Sequence, residues 1–201
     1  GLVGSEMCIR DSYQWAVCLL KLERFDEAAE AFTFHHDTYP ETEKADDAAY
    51  MTAWAYFRAG RFDRAAECYR HFLDTESASP YRARAAYGLA DALFNLERYA
   101  EATDAYERVV NEFPDSPLVG DAISGVQWSA IKSGNLERAY GVADRFARLH
   151  PESPLVDDLA LRVADLLYNY EQFDRAAKAY ARLREKFPHS DLIPAAMLGE
   201  G

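Results

Sequence analysis

Apolar residues recur along this chain at helical spacing, without the strict alternation of a half-buried strand. Leu89, Leu93 and Leu96 form an i, i+4, i+7 stripe, and Tyr99, Ala102, Tyr106 and Val109 form a second one soon after. Such spacing gathers side chains on one face of a helix. The pattern predicts one helix from Pro80 to about Leu96 and another from near Glu101 to the next proline. The pair then recurs. RFDEAAEAF from Arg24, RFDRAAECY from Arg61, RYAEATDAY from Arg98, NLERAYGVA from Asn135 and QFDRAAKAY from Gln172 start 37 residues apart without slippage. Ala28, Ala65, Ala102, Ala139 and Ala176 fill one column, which lets paired helices approach closely. Phe25, Phe62, Tyr99, Leu136 and Phe173 fill another, and the aromatic columns are expected to fill the gaps between repeats.

The breaks between helices have their own chemistry. Pro40, Pro114, Pro151 and Pro188 keep the period, with Ser77 in the remaining place. Proline lacks an N–H and restricts the residue before it, so it ends a helix. A hydroxyl follows in every repeat: Thr42, Ser79, Ser116, Ser153 and Ser190. Each is expected to cap the next helix, and Pro80, Pro117 and Pro154 suit its first position. The first helix of each pair ends near the column Glu23, Gly60, Glu97, Gly134 and Glu171. The expected fold is all-α, an α-solenoid of about five helix pairs. The repeats run over residues 13–40, 41–77, 78–114, 115–151 and 152–188, with a partial sixth at 189–201.

These columns resemble the tetratricopeptide repeat (TPR): paired helices, the invariant alanine, the aromatic four residues later and the junction proline. The resemblance covers about Tyr13 to Gly201 and implies a right-handed superhelix. The usual period is about 34, so each unit carries extra residues, placed at the start of its first helix. The longer unit with its FPDSP junction is similar to repeats of bacterial envelope proteins, such as the TPR protein of the Tol-Pal system and the outer-membrane assembly lipoprotein. That similarity implies a periplasmic or outer-membrane-associated setting, with a cytoplasmic one as the alternative. The fourth repeat departs from the pattern. Tyr140 stands where Ala29, Ala66, Thr103 and Ala177 stand, and Ala143 where Phe32, Tyr69, Tyr106 and Tyr180 stand. This exchange of large and small one turn apart is expected to conserve volume. Gln127 occupies a column otherwise filled by alanine.

The opening stretch, GLVGSEMCIRDS, fits none of this. The columns match from Tyr13 onward and stop before it. MCIRDS back-translates to ATGTGTATAAGAGACAG, the end of a transposon-based sequencing adapter, and LVGSE fits the preceding bases. Residues 1–12 are therefore read as translated adapter and set aside from fold reasoning. Ala195-Ala196-Met197-Leu198 aligns with the middle of a first helix, so the chain is read as a piece of a longer solenoid, truncated at both ends.

Charge narrows the partners. The chain carries a formal −12 with no compensating basic cluster, which disfavours nucleic acid and anionic membranes. No apolar run approaches the roughly 20 residues of a spanning helix, so no membrane insertion is expected. Cys18 and Cys68 sit among alanine columns and read as buried small hydrophobes without a disulfide. His35 falls in a column of Phe72, Val109, Phe146 and Leu183 and reads as a core histidine, while His150 and His189 read as solvated. The acidic ETEKADD run reads as a solvated helix start. No nucleophile, base and orienting group converge in the pattern, so the chain is expected to be non-catalytic, with no metal and no cofactor.

The resemblance places the first helices on the concave face. Three columns lie there on one stripe. The first is Tyr13, Tyr50, Tyr87, Ser124 and Leu161; the second is Val17, Trp54, Asp91, Trp128 and Asp165; the third is Leu20, Phe57, Phe94, Ile131 and Tyr168. The expected groove for a partner protein or peptide is Tyr50, Trp54, Phe57, Tyr87, Asp91, Phe94, Trp128, Ile131, Asp165 and Tyr168. For Phe57 and Phe94 packing between repeats is the favoured reading, and for Trp54 and Trp128 binding is. Some TPR domains clamp a terminal carboxylate with Lys and Asn here; Trp54 and Asp91 replace that Asn, which argues against the clamp. The leading reading is a protein-binding scaffold. The alternatives are a structural spacer with edge contacts, and the regulatory arm of an enzyme whose catalytic domain lies elsewhere.

Overall fold

The computed structural model describes residues 2–76, 78–188 and 190, with residues 2–10 described by backbone alone. Ser77, His189 and the start of the sixth repeat at 191–201 lie outside the described residues. Among the described residues ten helices follow one another, and no strand occurs. They are α1 (Leu2–Lys21), α2 (Phe25–Thr38), α3 (Ala45–Arg58), α4 (Phe62–Thr75), α5 (Arg82–Asn95), α6 (Tyr99–Glu112), α7 (Val119–Lys132), α8 (Leu136–Leu149), α9 (Val156–Asn169) and α10 (Phe173–Lys186). They form two compact units, one ending at Leu118 and the other starting at Val119. Unit 1 holds α1 to α6 and unit 2 holds α7 to α10, and within each unit consecutive helices pack together. The helix α1 runs back through residues 2–12. Propagating an existing helix gains one bond per residue fixed, which a proline-free stretch accommodates.

One backbone device closes every first helix. Glu23, Gly60, Glu97, Gly134 and Glu171 all have left-handed φ, between 57 and 79°. In the third repeat the Glu97 N–H donates to the Phe94 carbonyl and the Arg98 N–H to Leu93, each at 3.0 Å. The same two bonds recur at all five sites. This is the Schellman closure, which satisfies carbonyls that would otherwise lack partners. It turns the chain sharply enough for the second helix to start two residues later.

The start of the first helices differs in detail from the sequence reading. Regular α-helix begins at Arg82, not Pro80. The Ser79 hydroxyl does accept the Tyr81 N–H at 3.3 Å, and Ser116 and Ser153 accept from Leu118 and Leu155 in the same way. The capping bond is therefore made, but the turn it caps is a tight i→i+3 turn, with the Arg82 N–H donating to the Ser79 carbonyl. Thr42 departs from the others by donating to the Tyr39 carbonyl, and Ser190 donates to Asp157.

Burial follows the columns. The five alanines are at most 1% exposed, and Phe32, Tyr69, Tyr106 and Tyr180 at most 4%. Cys18 is a correction: it is exposed, while Ala55 and Ala92 of its column are fully buried. Ala55 belongs to one core cluster with Ala28, Ala29 and Phe32 of α2, the second helix of the preceding repeat, and no helix precedes α1 among the described residues to cover Cys18 in the same way. Cys68 is half-buried, and both thiols are free. His35 is fully buried. Its Nδ1 shares a 2.8 Å hydrogen bond with the Ser12 hydroxyl, and its ring meets Tyr13 edge-on. Burial pushes its pKa below the ordinary histidine value.

Candidate functional site

In unit 1, α3 and α5 present their stripes side by side. Tyr50, Trp54 and Phe57 from α3 and Tyr87 and Asp91 from α5 line one cavity of about 260 Å³. Five of the six expected groove residues on these two helices therefore converge. Phe94 does not line the cavity. Its ring lies edge-on to Tyr99 at 5.2 Å, a packing contact within its own repeat where the column suggests one between repeats. Phe57 does both, meeting Phe62 at 5.3 Å from the cavity wall.

Tyr69, Arg84, Gly88 and Leu118 complete the lining, and the sequence reading missed them. Arg84 was legible in principle. It lies one turn before Tyr87 on the same stripe, and its column otherwise reads Asp47, Asp121 and Asp158. Gly88 makes room for Tyr69: a Cβ there would sit 2.5 Å from the tyrosine ring. Tyr69 arrives from α4, the second helix of the preceding repeat, so a stripe read on first helices alone could not include it.

The polar groups are held in place. Asp91 accepts a hydrogen bond from the Tyr106 hydroxyl. Burial and that carboxylate keep Tyr106 above the ordinary tyrosine range, and burial does the same for Tyr69 and Tyr50. The phenols are thus neutral, and Arg84 and Asp91 supply charges of opposite sign. Trp54 is half-buried, with the Arg58 guanidinium 5.1 Å from its ring and 4.9 Å from that of Phe25. Tyr50 stacks on Tyr81 at 5.1 Å. Aromatic walls with two charges of opposite sign suit the capture of an apolar side chain beside a backbone or polar group.

In unit 2 the expected residues sit on α7 and α9. Trp128 is 56% exposed and Ile131 half-buried. Asp165 accepts from the Tyr180 hydroxyl at 2.6 Å, repeating the Asp91–Tyr106 pair. Tyr168 is half-exposed and packs edge-on against Phe173, as Phe57 and Phe94 pack against their own repeats. No group of three or more His, Cys, Asp or Glu side chains is gathered for a metal among the described residues. No described helix is long and apolar enough to cross a membrane.

Comparison with known proteins bears on the repeats. Two tetratricopeptide-repeat family models match the chain, one over residues 50–117 and one over 158–190, together half its length. No curated protein matches it in sequence. Among solved structures, MamA protein aligns at a TM-score of 0.63 and 17% identity, over 90% of this chain and 92% of its own. A tetratricopeptide repeat protein from Parabacteroides merdae aligns at 0.61 and 13%, over 96% of this chain and 74% of its own. Pseudomonas aeruginosa pilF aligns at 0.56 and 18%, over 97% and 91%. At these identities the structural likeness speaks to fold, and the neighbours are varied in kind. Family models and fold agree with the columns read from the sequence: the chain is a protein of tetratricopeptide repeats.

Proposed function

We propose that unit 1 binds a partner protein through an apolar peptide side chain seated in the cavity between α3 and α5. Tetratricopeptide repeats generally serve as scaffolds for protein–protein interaction and are typically non-catalytic. The observation that carries the finer reading is the convergence of Tyr50, Trp54, Phe57, Tyr87 and Asp91 on one cavity of about 260 Å³. The expected partner is a peptide with a bulky apolar residue next to a polar or charged one that meets Arg84 or Asp91. Trp128 and Tyr168 offer exposed aromatic surface for contacts to unit 2. A setting in a bacterial cell-envelope assembly is part of the proposal and rests on the long repeat and its junction.

A peptide-array screen with the purified chain tests the reading. Peptides selected by the wild type should lose about 2 kcal/mol, roughly thirtyfold, on Trp54→Ala. Circular dichroism should show the helices intact. Unchanged peptide selection by a folded Trp54→Ala variant would favour a spacer that uses edge contacts.

A further inference from the structure

The fourth repeat's exchanged residues border a cavity. Tyr140 and Ala143 are both buried, and both line a cavity of about 440 Å³ between α8 and α10, over α9. The period-equivalent groove between α2 and α4 in unit 1 is smaller, about 290 Å³, and there Phe32 holds the place of Ala143. The floor in unit 2 is apolar, with Val163, Leu167, Leu183 and Phe187 among its residues.

The rim is the unusual part. Arg175, Lys178, Arg182 and Lys186 all line the cavity from one face of α10, at i, i+3, i+7 and i+11. Asp144 is the one acid in the lining. Arg175 is held by Glu137 at 2.9 and 3.2 Å and lies 4.9 Å from the Tyr140 ring. Lys178 and Arg182 form no ion pair among the described residues. In the equivalent groove of unit 1 the corresponding positions carry Glu67 in place of Lys178 and His71 in place of Arg182. A basic rim on a chain of net charge −12 runs against the protein's general field. A second observation points the same way: the Tyr140 hydroxyl is buried without a hydrogen-bond partner, on a residue that lines this cavity. Such groups are costly unless something satisfies them.

We propose that the α8–α9–α10 cavity is a second binding site, separate from the α3–α5 groove, for an acidic peptide segment of a partner protein that carries bulky apolar side chains. The apolar side chains enter over Ala143, and the flanking carboxylates meet Lys178, Arg182 and Lys186. The volume lies within the range of peptide and small-ligand pockets, roughly 300–1,000 Å³, and the charge selects the acidic class.

The probe is a short fluorescein-labelled peptide in which Glu alternates with Leu and Phe, followed by anisotropy with the full chain. Its control has Gln for Glu. The acidic peptide should bind, and added salt should weaken it. Lys178→Glu with Arg182→Glu should weaken it about tenfold or more. Ala147→Phe, at a half-buried position of the cavity lining on α8, refills the space and should weaken binding to a similar extent. This second variant decides the matter if charge reversal disturbs folding. With Trp54→Ala in place to remove binding at the α3–α5 cavity, the probe should still bind and Lys178→Glu with Arg182→Glu should still weaken it, so the two sites fail or stand separately. Equal binding of the Gln peptide, or wild-type binding by the refilled variant, would overturn the proposal. So would a sedimenting dimer that the refilled variant abolishes, since a second copy would then own the cavity.

Discussion

At the scale of single residues, the left-handed column carries a measurable cost. Glu97 and Glu171 adopt φ of 59° at positions where Gly60 and Gly134 adopt 73 and 79°. A side chain in this region costs about 1–2 kcal/mol, part of which glycine gives back through its floppier unfolded state. Glu97→Gly should therefore raise the urea midpoint, by about 0.5–1 kcal/mol of stability. Gly60→Ala should lower stability by about 1 kcal/mol from backbone strain alone, since nothing lies within 4 Å of the added methyl. His35 gives the second test at this scale. Its folded pKa is depressed by burial, so the folded state prefers the neutral ring. Its contribution is fully present above the unfolded value of about 6.5 and is lost as pH falls through the lower folded value. Melts at pH 7.5 and 5.5 should show a drop on acidification, and His35→Phe, the residue of Phe72 and Phe146 in that column, should shrink the drop.

At the scale of elements, Gly88 sets how α4 meets α5. With a Cβ 2.5 Å from the buried Tyr69 ring, Gly88→Ala should cost about 1–3 kcal/mol in denaturant unfolding and narrow the α3–α5 cavity. An unchanged midpoint would mean that Tyr69 has room to swing aside. The helices themselves are legible in the sequence because three signals with separate physical origins share one period: apolar spacing, hydroxyl caps and prolines. The left-handed closure shows as a column that mixes Gly with Glu. What the sequence hides depends on neighbours. The burial expected of Cys18 belongs to a helix on the other side of the contact, which its own column does not reveal. Tyr69 escapes a stripe drawn on first helices only, because a second helix completes the site, and Gly88, on a first helix, escapes because it brings no side chain. Arg84 escapes a stripe that stops one turn short. The exchange at Tyr140 and Ala143 is visible as letters, but whether volume is conserved depends on the shape of α8 against α10.

At the scale of the whole molecule, charge governs stability beyond what the repeats themselves supply. A net −12 on 201 residues repels itself, and the ion pairs at the helix starts, such as Arg24–Glu27 and Arg98–Glu101, are solvent-exposed and offset little of it. Raising salt from low ionic strength to about 0.5 M shortens the screening length several-fold, so the melting temperature should rise; a fall would show that attractive pairs dominate. The repeated helix closure has a further consequence, for inheritance and engineering. Each first helix ends on its own backbone bonds and borrows no side chain from elsewhere to do so. Cutting at Arg61 and rejoining at Tyr99 would thus excise one complete period and leave the new junction with the same closure as the old one. Duplication or loss of a whole repeat is then a tolerated in-frame event, whereas an insertion of any other length orphans a turn, and the length of such a chain can drift in steps of 37 residues while every junction stays intact.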